Sequence, residues 1–292
     1  MILRSGVVDR TVARALKVLA LSSIFVLASI TFFIFREGAP LVYRVGLGNF
    51  LSSDWHPTAA RFGIATMVAG SAAVTAGALA LAVPLGIGCA IALAEMAHPI
   101  LRRILKPAIE ILAGIPSVVY GFMGIVVVLP WIRGHFGGPG ASALAGALIL
   151  GVMILPTIIA ISLDALQAVP RTYREGSLAM GATQWQTIRR VVLPAARPGI
   201  VAAVILGMGR AVGETMAVVM VAGNAVQFPH SMLDPVRTLT ANLALEMGYA
   251  AGDHRAALFA TGMVLFLIVV VLNGVAGLAR GGRAKSGGEA RR

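Results

Sequence analysis

Charge is scarce in this chain. Of its 292 residues, 12% are Asp, Glu, Lys or Arg, about half the share that a soluble domain carries. Acidic side chains are the scarcest, 12 against 24 Lys and Arg, and aromatic residues make up only 6%. The formal charge of +12 is spread along the chain without one basic patch, so no nucleic-acid partner is expected. The single cysteine, Cys89, excludes an intrachain disulfide; inside an apolar run, it reads as a small buried filler. The five histidines, His56, His98, His135, His230 and His254, include no pair at metal-ligand spacing, and no metal is expected. A Gly-x4-Gly-Lys-Ser/Thr phosphate loop is absent, which excludes the chain as a P-loop ATPase.

Apolar length is abundant. The chain is 58% hydrophobic with a mean hydropathy of +0.88. Six apolar runs lie at roughly 17–35, 64–94, 108–132, 142–163, 197–223 and 256–279, close to the length of about 20 residues that crosses a bilayer. The expected fold is an all-α integral membrane protein with six transmembrane helices. Arg4, Arg10, Arg14 and Lys17 followed by apolar Val18 to Phe35 resemble a signal peptide. Arg36-Glu37-Gly38 then stands where a small-residue cleavage site belongs, so the run reads as a retained first helix.

Basic residues orient the spans. With the N-terminus inside, seventeen of the 24 are cytoplasmic. They comprise the four just named, Arg102, Arg103 and Lys106, then Arg171, Arg174, Arg189, Arg190 and Arg197, and finally Arg280, Arg283, Lys285, Arg291 and Arg292. Six lie outside (Arg36, Arg44, Arg61, Arg133, Arg237 and Arg255), and Arg210 is inside a helix. Six spans with both termini cytoplasmic fit this split. The external segments are 36–63, where a short interfacial helix is expected near Trp55, His56 and Pro57, and 224–255, which carries Asp234, Pro235, Glu246 and Asp253. The tail after Ala279 is Gly-, Lys- and Arg-rich and reads as disordered.

A polar stretch from Pro170 to Pro194 interrupts this pattern. Leu178, Ala182 and Trp185 share a helical face, with Arg174, Glu175 and Gln184 polar. Gly181 permits a tight turn between two short helices, and Pro194 is expected to end the second. The residues alone allow two readings: an amphipathic helix on the lipid surface, or an elbow that fits a groove on a soluble partner. The spacing is Glu175-Gly176-Ser177, three residues, Gly181, nine residues, Val191, one residue, then Leu193-Pro194. It resembles the EAA loop by which bacterial ABC-importer permeases dock on their ATPase, with Gly176-Ser177 replacing the usual alanines and Val191 the usual isoleucine. That resemblance makes Glu175, Gly181, Trp185, Leu193 and Pro194 the expected ATPase-coupling residues.

Two charges fall within the fifth run, in Gly207-Met208-Gly209-Arg210-Ala211-Val212-Gly213-Glu214-Thr215. A charge at mid-bilayer costs about 2.5–3.5 kcal/mol on insertion scales and is seldom idle. On a continuous helix Arg210 and Glu214 share one face, and Gly209 and Gly213 allow close approach of a neighbour. One reading is a self-neutralising pair that fixes packing. The other is an anion passage, in which Arg210 offers a planar donor fork to a tetrahedral oxyanion and Glu214 keeps the site from trapping it. Neither residue is placed as a nucleophile or base. In Glu110-Ile111-Leu112-Ala113-Gly114-Ile115-Pro116-Ser117-Val118-Val119-Tyr120-Gly121, Glu110 opens the third run and Pro116 breaks it. Ser117 and Tyr120 then either line the path or pack the helix. Glu95 and Asp164 read as boundary charges at helix ends.

Together these segments are similar to the C-type (PstC-type) permease subunits of the phosphate-specific ABC importers. Also matching are Phe35-Arg36-Glu37-Gly38, Leu105-Lys106-Pro107, Met153-Ile154-Leu155-Pro156-Thr157, Ala168 to Glu175, and the Met216-Ala217-Val218 that follows Thr215. The resemblance spans about residues 10–280 and implies an ABC-importer permease of MetI-like architecture. Its expected parts are a cytoplasmic N-terminus (1–16), a first transmembrane helix (17–35), a five-helix permease domain (64–279) with coupling loop 170–195, and a cytoplasmic tail (280–292). It further implies a bacterial inner-membrane location, a substrate path at Arg210, Glu214, Thr215, Ser117 and Tyr120, and no catalytic residue in this chain. The implied partners are a sister A-type permease, two ATPase subunits holding ATP and Mg, an external phosphate-binding protein, and membrane lipid. Sulfate or molybdate in place of phosphate, and an ion-coupled secondary anion carrier, are the alternatives.

Overall fold

A computed structural model describes residues 5–281, with side-chain surroundings from residue 12 to 274. The expected tail therefore lies, beyond Gly281, outside the described residues, as do residues 1–4. In chain order the helices are α1 (Ser5–Val45), α2 (Leu47–Phe50), α3 (Ala65–Ile91), α4 (Pro99–Ala113), α5 (Ser117–Met123), α6 (Leu129–Phe136) and α7 (Ala143–Gln167). They continue with α8 (Arg171–Ala179), α9 (Gln184–Thr187), α10 (Leu193–Gly213), α11 (Met216–Val221), α12 (Leu239–Glu246) and α13 (Gly252–Gly281). Among the described residues six stretches are long and apolar enough to cross a membrane: Val12–Val45, Ala65–Met96, Ser117–Phe136, Ala143–Gln167, Gln184–Gly213 and Gly252–Gly274.

The centre is α7, the most buried span, packed between α3 and α10. In lipid, contact between helices is gained by close backbone approach rather than by hiding apolar surface from water. Ile158 of α7 shows this: a Cβ on Gly86 of α3 would lie 2.8 Å from it, and one on Gly207 of α10 2.9 Å. On the other side α1 and α13 form a pair, with edge-to-face rings Phe33–Phe259 and Phe35–Phe266 at 5.4 and 6.3 Å. Gly38 lets these two backbones meet, since a Cβ there would fall 2.7 Å from Ala260 N.

Several boundaries differ from the sequence expectation. α1 runs through Arg36-Glu37-Gly38 to Val45, because Leu41 and Val42 are buried with Leu258 and Ala260 of α13. Beyond it the segment between the first two spans forms the short helix α2 and a hairpin of β1 (Trp55–His56) and β2 (Arg61–Phe62), antiparallel, with Trp55 opposite Phe62. The third run is divided by Gly114–Pro116, so Glu110 belongs to α4 and does not open the span. The fifth run is divided at Glu214 and Thr215. Cys89 is exposed on the outer face of α3 and is no buried filler.

Prolines explain one recurrent feature. Wide turns at Gly124–Val128 and Ile188–Val192 close with Leu129 N–H donating to Gly124 O and Leu193 N–H donating to Ile188 O, and Pro130 and Pro194 follow at once. A helical proline has no N–H to give, and its ring crowds the carbonyl four residues back. A turn widened by one residue accommodates both defects and lets the helix continue. Pro194 accordingly sits in the first turn of α10 and does not end the preceding helix.

Candidate functional site

Within the membrane, two helix breaks come together. The first lies between α4 and α5, where Gly114 and Ile115 precede Pro116. The last carbonyls of α4 need donors, since no helix continues past them. Tyr120 Oη donates to Leu112 O at 2.9 Å, and Arg210 Nη2 donates to Ala113 O at 3.3 Å. The second break ends α10 at Gly213, and Glu214 takes an extended backbone conformation with ψ 132°. Its Oε1 accepts the Ala217 N–H at 3.1 Å, so this carboxylate seats the first turn of α11. The half-helices that leave the breaks pack together, with Gly121 of α5 against Ala217 of α11, where an added Cβ would lie 3.1 Å from Ala217 Cα.

Arg210 and Glu214 therefore do not share a helix face, and no salt bridge joins them among the described residues. The break turns Glu214 out of the four-residue spacing that would have paired them. Each charge is instead held by backbone: Arg210 at the carbonyl end of α4, Glu214 at the amide end of α11. The half-buried guanidinium also donates to Thr157 Oγ1 at 3.4 Å. Both of its bonds are longer than usual, and its Nε donates to nothing among the described residues. A guanidinium so loosely engaged keeps most of its five donors for an oxyanion.

The remaining membrane residues of the expected path are also near these breaks. Thr215 donates to Gly213 O at 3.3 Å, and half-buried Ser117 opens α5. Tyr120 has already donated its proton to Leu112 O, and its ring packs with the buried side chains around Leu150 and Met153. Sequence reasoning missed Thr157, whose signal was a hydroxyl beside a helix-interior proline, and Thr240, which donates to Glu214 O at 2.8 Å from the start of α12.

Between the fourth and fifth spans α8 and α9 form an elbow. Gly181 sits at φ +82°, the left-handed region that suits glycine. Thr183 and Gln186 then start α9 with a reciprocal capping box: Gln186 N–H donates to Thr183 Oγ1, and Thr183 N–H to Gln186 Oε1. Glu175, Gly181 and Trp185 are exposed on this elbow, and Met180 at its tip is 88% exposed. Leu193 instead packs inward with Val192 and Leu166, and Pro194 lies at the membrane end of the loop.

Arg174 fastens the elbow. It donates to both oxygens of Glu95, at 2.6 Å to the nearer, and to Leu166 O and Val169 O at the end of α7. Glu95, which read as a boundary charge, is thus the anchor of the loop. The other boundary charge, Asp164, accepts from Lys106 of α4 at 2.7 Å. That hydrogen bond, with added attraction from Asp164 and Glu110, raises the Lys106 ammonium above its ordinary value of 10.5 against the opposing effect of burial.

The family model described as "Binding-protein-dependent transport system inner membrane component" matches residues 82–280. The chain belongs to this family. As such it is a multi-pass membrane permease, a transport component. It is 44% identical over 257 residues to the "Probable ABC transporter permease protein YqgH" of Bacillus subtilis, covering 85% of this chain and 83% of that one. It is 39% identical to the "Phosphate transport system permease protein PstC" of Mesorhizobium japonicum, covering 78% and 76% of the two chains, and 35% identical to that of Haemophilus influenzae, covering 79% and 80%. Among solved structures, the MetNI methionine ABC transporter matches with a TM-score of 0.56 at 21% identity, covering 78% of this permease and 98% of that chain. A bacterial alginate ABC transporter matches with a TM-score of 0.57 at 14% identity, covering 88% and 92%. These two likenesses establish the MetI-like fold.

Proposed function

We propose that this permease is a membrane subunit of an ATP-driven importer of inorganic phosphate. The observation that carries the reading is Arg210, a guanidinium inside the membrane held, among the described residues, by two long hydrogen bonds at the junction of two broken helices. Relatives named as phosphate transport permeases support phosphate as the oxyanion. Arg210, Glu214, Thr215, Ser117 and Tyr120 border the path, and a planar fork suits the tetrahedral anion. The exposed elbow at Glu175, Gly181 and Trp185 meets the ATPase, seated by Leu193 and Pro194.

The working complex has this chain beside a sister permease of the A-type, two ATPase subunits that hold ATP and Mg, and a soluble phosphate-binding protein outside. The elbow and both termini face the cytoplasm, with coupling loop 170–195 inside a permease domain of residues 64–279. No residue of this chain takes part in covalent chemistry: hydrolysis belongs to the ATPase, and gating to the permeases.

The test is uptake of labelled phosphate into proteoliposomes that contain this chain, its sister and the ATPase, with ATP inside and loaded binding protein outside. Uptake that requires ATP and resists excess sulfate and molybdate supports the reading. Competition by sulfate reassigns the solute, and uptake driven by a proton gradient without ATP overturns the coupling.

A further inference from the structure

Two elements converge on the last turn of the second span, Ala92–Met96. Its terminal carbonyls have no partner further along the helix, and side chains supply the donors. Arg102 of α4 donates through Nε to Leu93 O at 2.6 Å and through Nη2 to Ala94 O. Gln184 of α9 donates to Glu95 O at 3.2 Å, and Arg174 of α8 holds the Glu95 carboxylate, which is only 9% exposed. The cytoplasmic elbow and α4 thus grip one and the same turn.

From that turn α4 leads to Arg210. Its 15 residues extend about 22 Å, and its inward face is Arg102, Lys106, Ile109 and Ala113, at the spacing that keeps one side of a helix. Lys106 pairs with Asp164 at 2.7 Å, Ile109 packs against the core, and Ala113 O accepts from Arg210 at 3.3 Å. The opposite face is apolar and exposed: Ile100 is 62%, Ile104 64% and Ile111 72% exposed. Among the described residues α4 is therefore held along one side by polar contacts and Ile109, and no apolar packing fixes the other. A helix attached in this way moves as a unit when its attachments move.

The geometry points to α4 as the element that carries displacement of the cytoplasmic elbow to Arg210, with Glu95 and Lys106 as positioning residues for that guanidinium. The inference rests on the proposed roles of the elbow and of Arg210. A shift of α4 moves the Ala113 carbonyl toward or away from Arg210, and so occupies or frees a donor that an oxyanion takes. The guanidinium exchanges a helix-end carbonyl for the anion, and the elbow sets which of the two it holds.

The test uses the full complex in proteoliposomes and measures two quantities on the same vesicles: ATP hydrolysis stimulated by loaded binding protein, and phosphate taken up per ATP. Lys106→Met should leave hydrolysis and complex yield unchanged and lower uptake per ATP about tenfold, a typical size for a coupling energy between sites. Reversing the pair, Lys106→Asp with Asp164→Lys, should restore it to within about twofold. A merely structural role would lower yield and hydrolysis together and leave their ratio to uptake unchanged.

A second arm does not depend on transport. In a Cys89→Ser background, spin labels at Ile104→Cys and Tyr249→Cys should change separation between nucleotide-free and ATP-trapped states, and Lys106→Met should abolish the change. Uptake per ATP within twofold of the unsubstituted complex in Lys106→Met, or labels that report no movement of α4, overturns the inference. Absence of ATP-dependent uptake in the unsubstituted complex overturns the importer reading itself, which separates the two failures.

Discussion

At the scale of single residues, what neutralises each membrane charge decides what a substitution does. Arg210 reaches Ala113 O and Thr157 Oγ1 with two different nitrogens. Lysine keeps the charge but presents one nitrogen in place of the fork. Arg210→Lys should therefore lower phosphate uptake about 100-fold, equivalent to about 2.7 kcal/mol, with normal amounts of assembled complex on a gel. Glu214 is an acceptor for Ala217 N–H, a role that glutamine retains and alanine does not. Glu214→Gln should leave thermal stability within about 0.5 kcal/mol, while Glu214→Ala should cost about 1 kcal/mol, the loss of one cap. Equal losses from both would revive the ion pair with Arg210. Outside the membrane, Asp54 is held below its ordinary value of 3.8, chiefly by the hydrogen bond from Arg61 and next by that from His56. A lowered carboxylate supports the fold above its unfolded value and loses that support as pH falls through the folded one. Protection of the Gly63 amide, which donates to Asp54 O, measured against its intrinsic exchange rate, should therefore fall as pH drops below about 4, and Asp54→Asn should remove that fall.

At the scale of elements, sequence showed where helices are and found one of the two breaks. Length and hydropathy were enough for six spans, because a backbone in lipid has few ways to satisfy its polar groups. Pro116 marked one break correctly. The break at Gly213–Thr215 carried no proline and no run of polar residues, so the segment read as continuous; what opens it is tertiary, the bond from Thr240 to Glu214 O and the packing of α11 on α5. Pro194 misled in the opposite sense, since a widened turn absorbs a proline that by itself signals an end. The anchor Glu95–Arg174 joins residues 79 apart in sequence, and only a count of unpaired charges near the loop could have suggested it. Gly181, by contrast, was legible, because a left-handed turn between two short helices has a sequence signature. Gly181→Val places a β-branched residue at φ +82°, where L-residues are disfavoured by about 1–2 kcal/mol. It should reduce co-purification of the ATPase while the circular dichroism of the permease stays unchanged; full retention of the ATPase would remove the elbow from the interface.

At the scale of the whole molecule, α1 and α13 form one body, α3, α7 and α10 another, and α12 is bonded to both. Glu246 closes α12 and is 8% exposed. Its carboxylate accepts from Arg237 at 2.6 Å and from Trp55 of the hairpin at 3.0 Å, and it pairs with His254 of α13 at 2.8 Å. The start of α12 is bonded to the other body, through Leu239 N–H to Ser71 Oγ of α3 at 2.9 Å and through Thr240 to Glu214 O. One short helix thus links the β1–β2 hairpin and α13 to the helix break at Glu214. Glu246→Ala strands Arg237 and the Trp55 N–H in a nearly closed setting, and breaking one side of a buried pair costs about 3–5 kcal/mol. The apparent melting temperature of the purified permease should fall by about 6–10 °C, at about 2 °C for each kcal/mol. A double variant, Glu246→Leu with Arg237→Met, removes both charges and should lose less than the single change does, since no unpaired charge is left behind. If the double loses the sum of the two singles, the residues act independently, and the joint between the two bodies must be sought in the apolar contacts of Trp55 and Phe62.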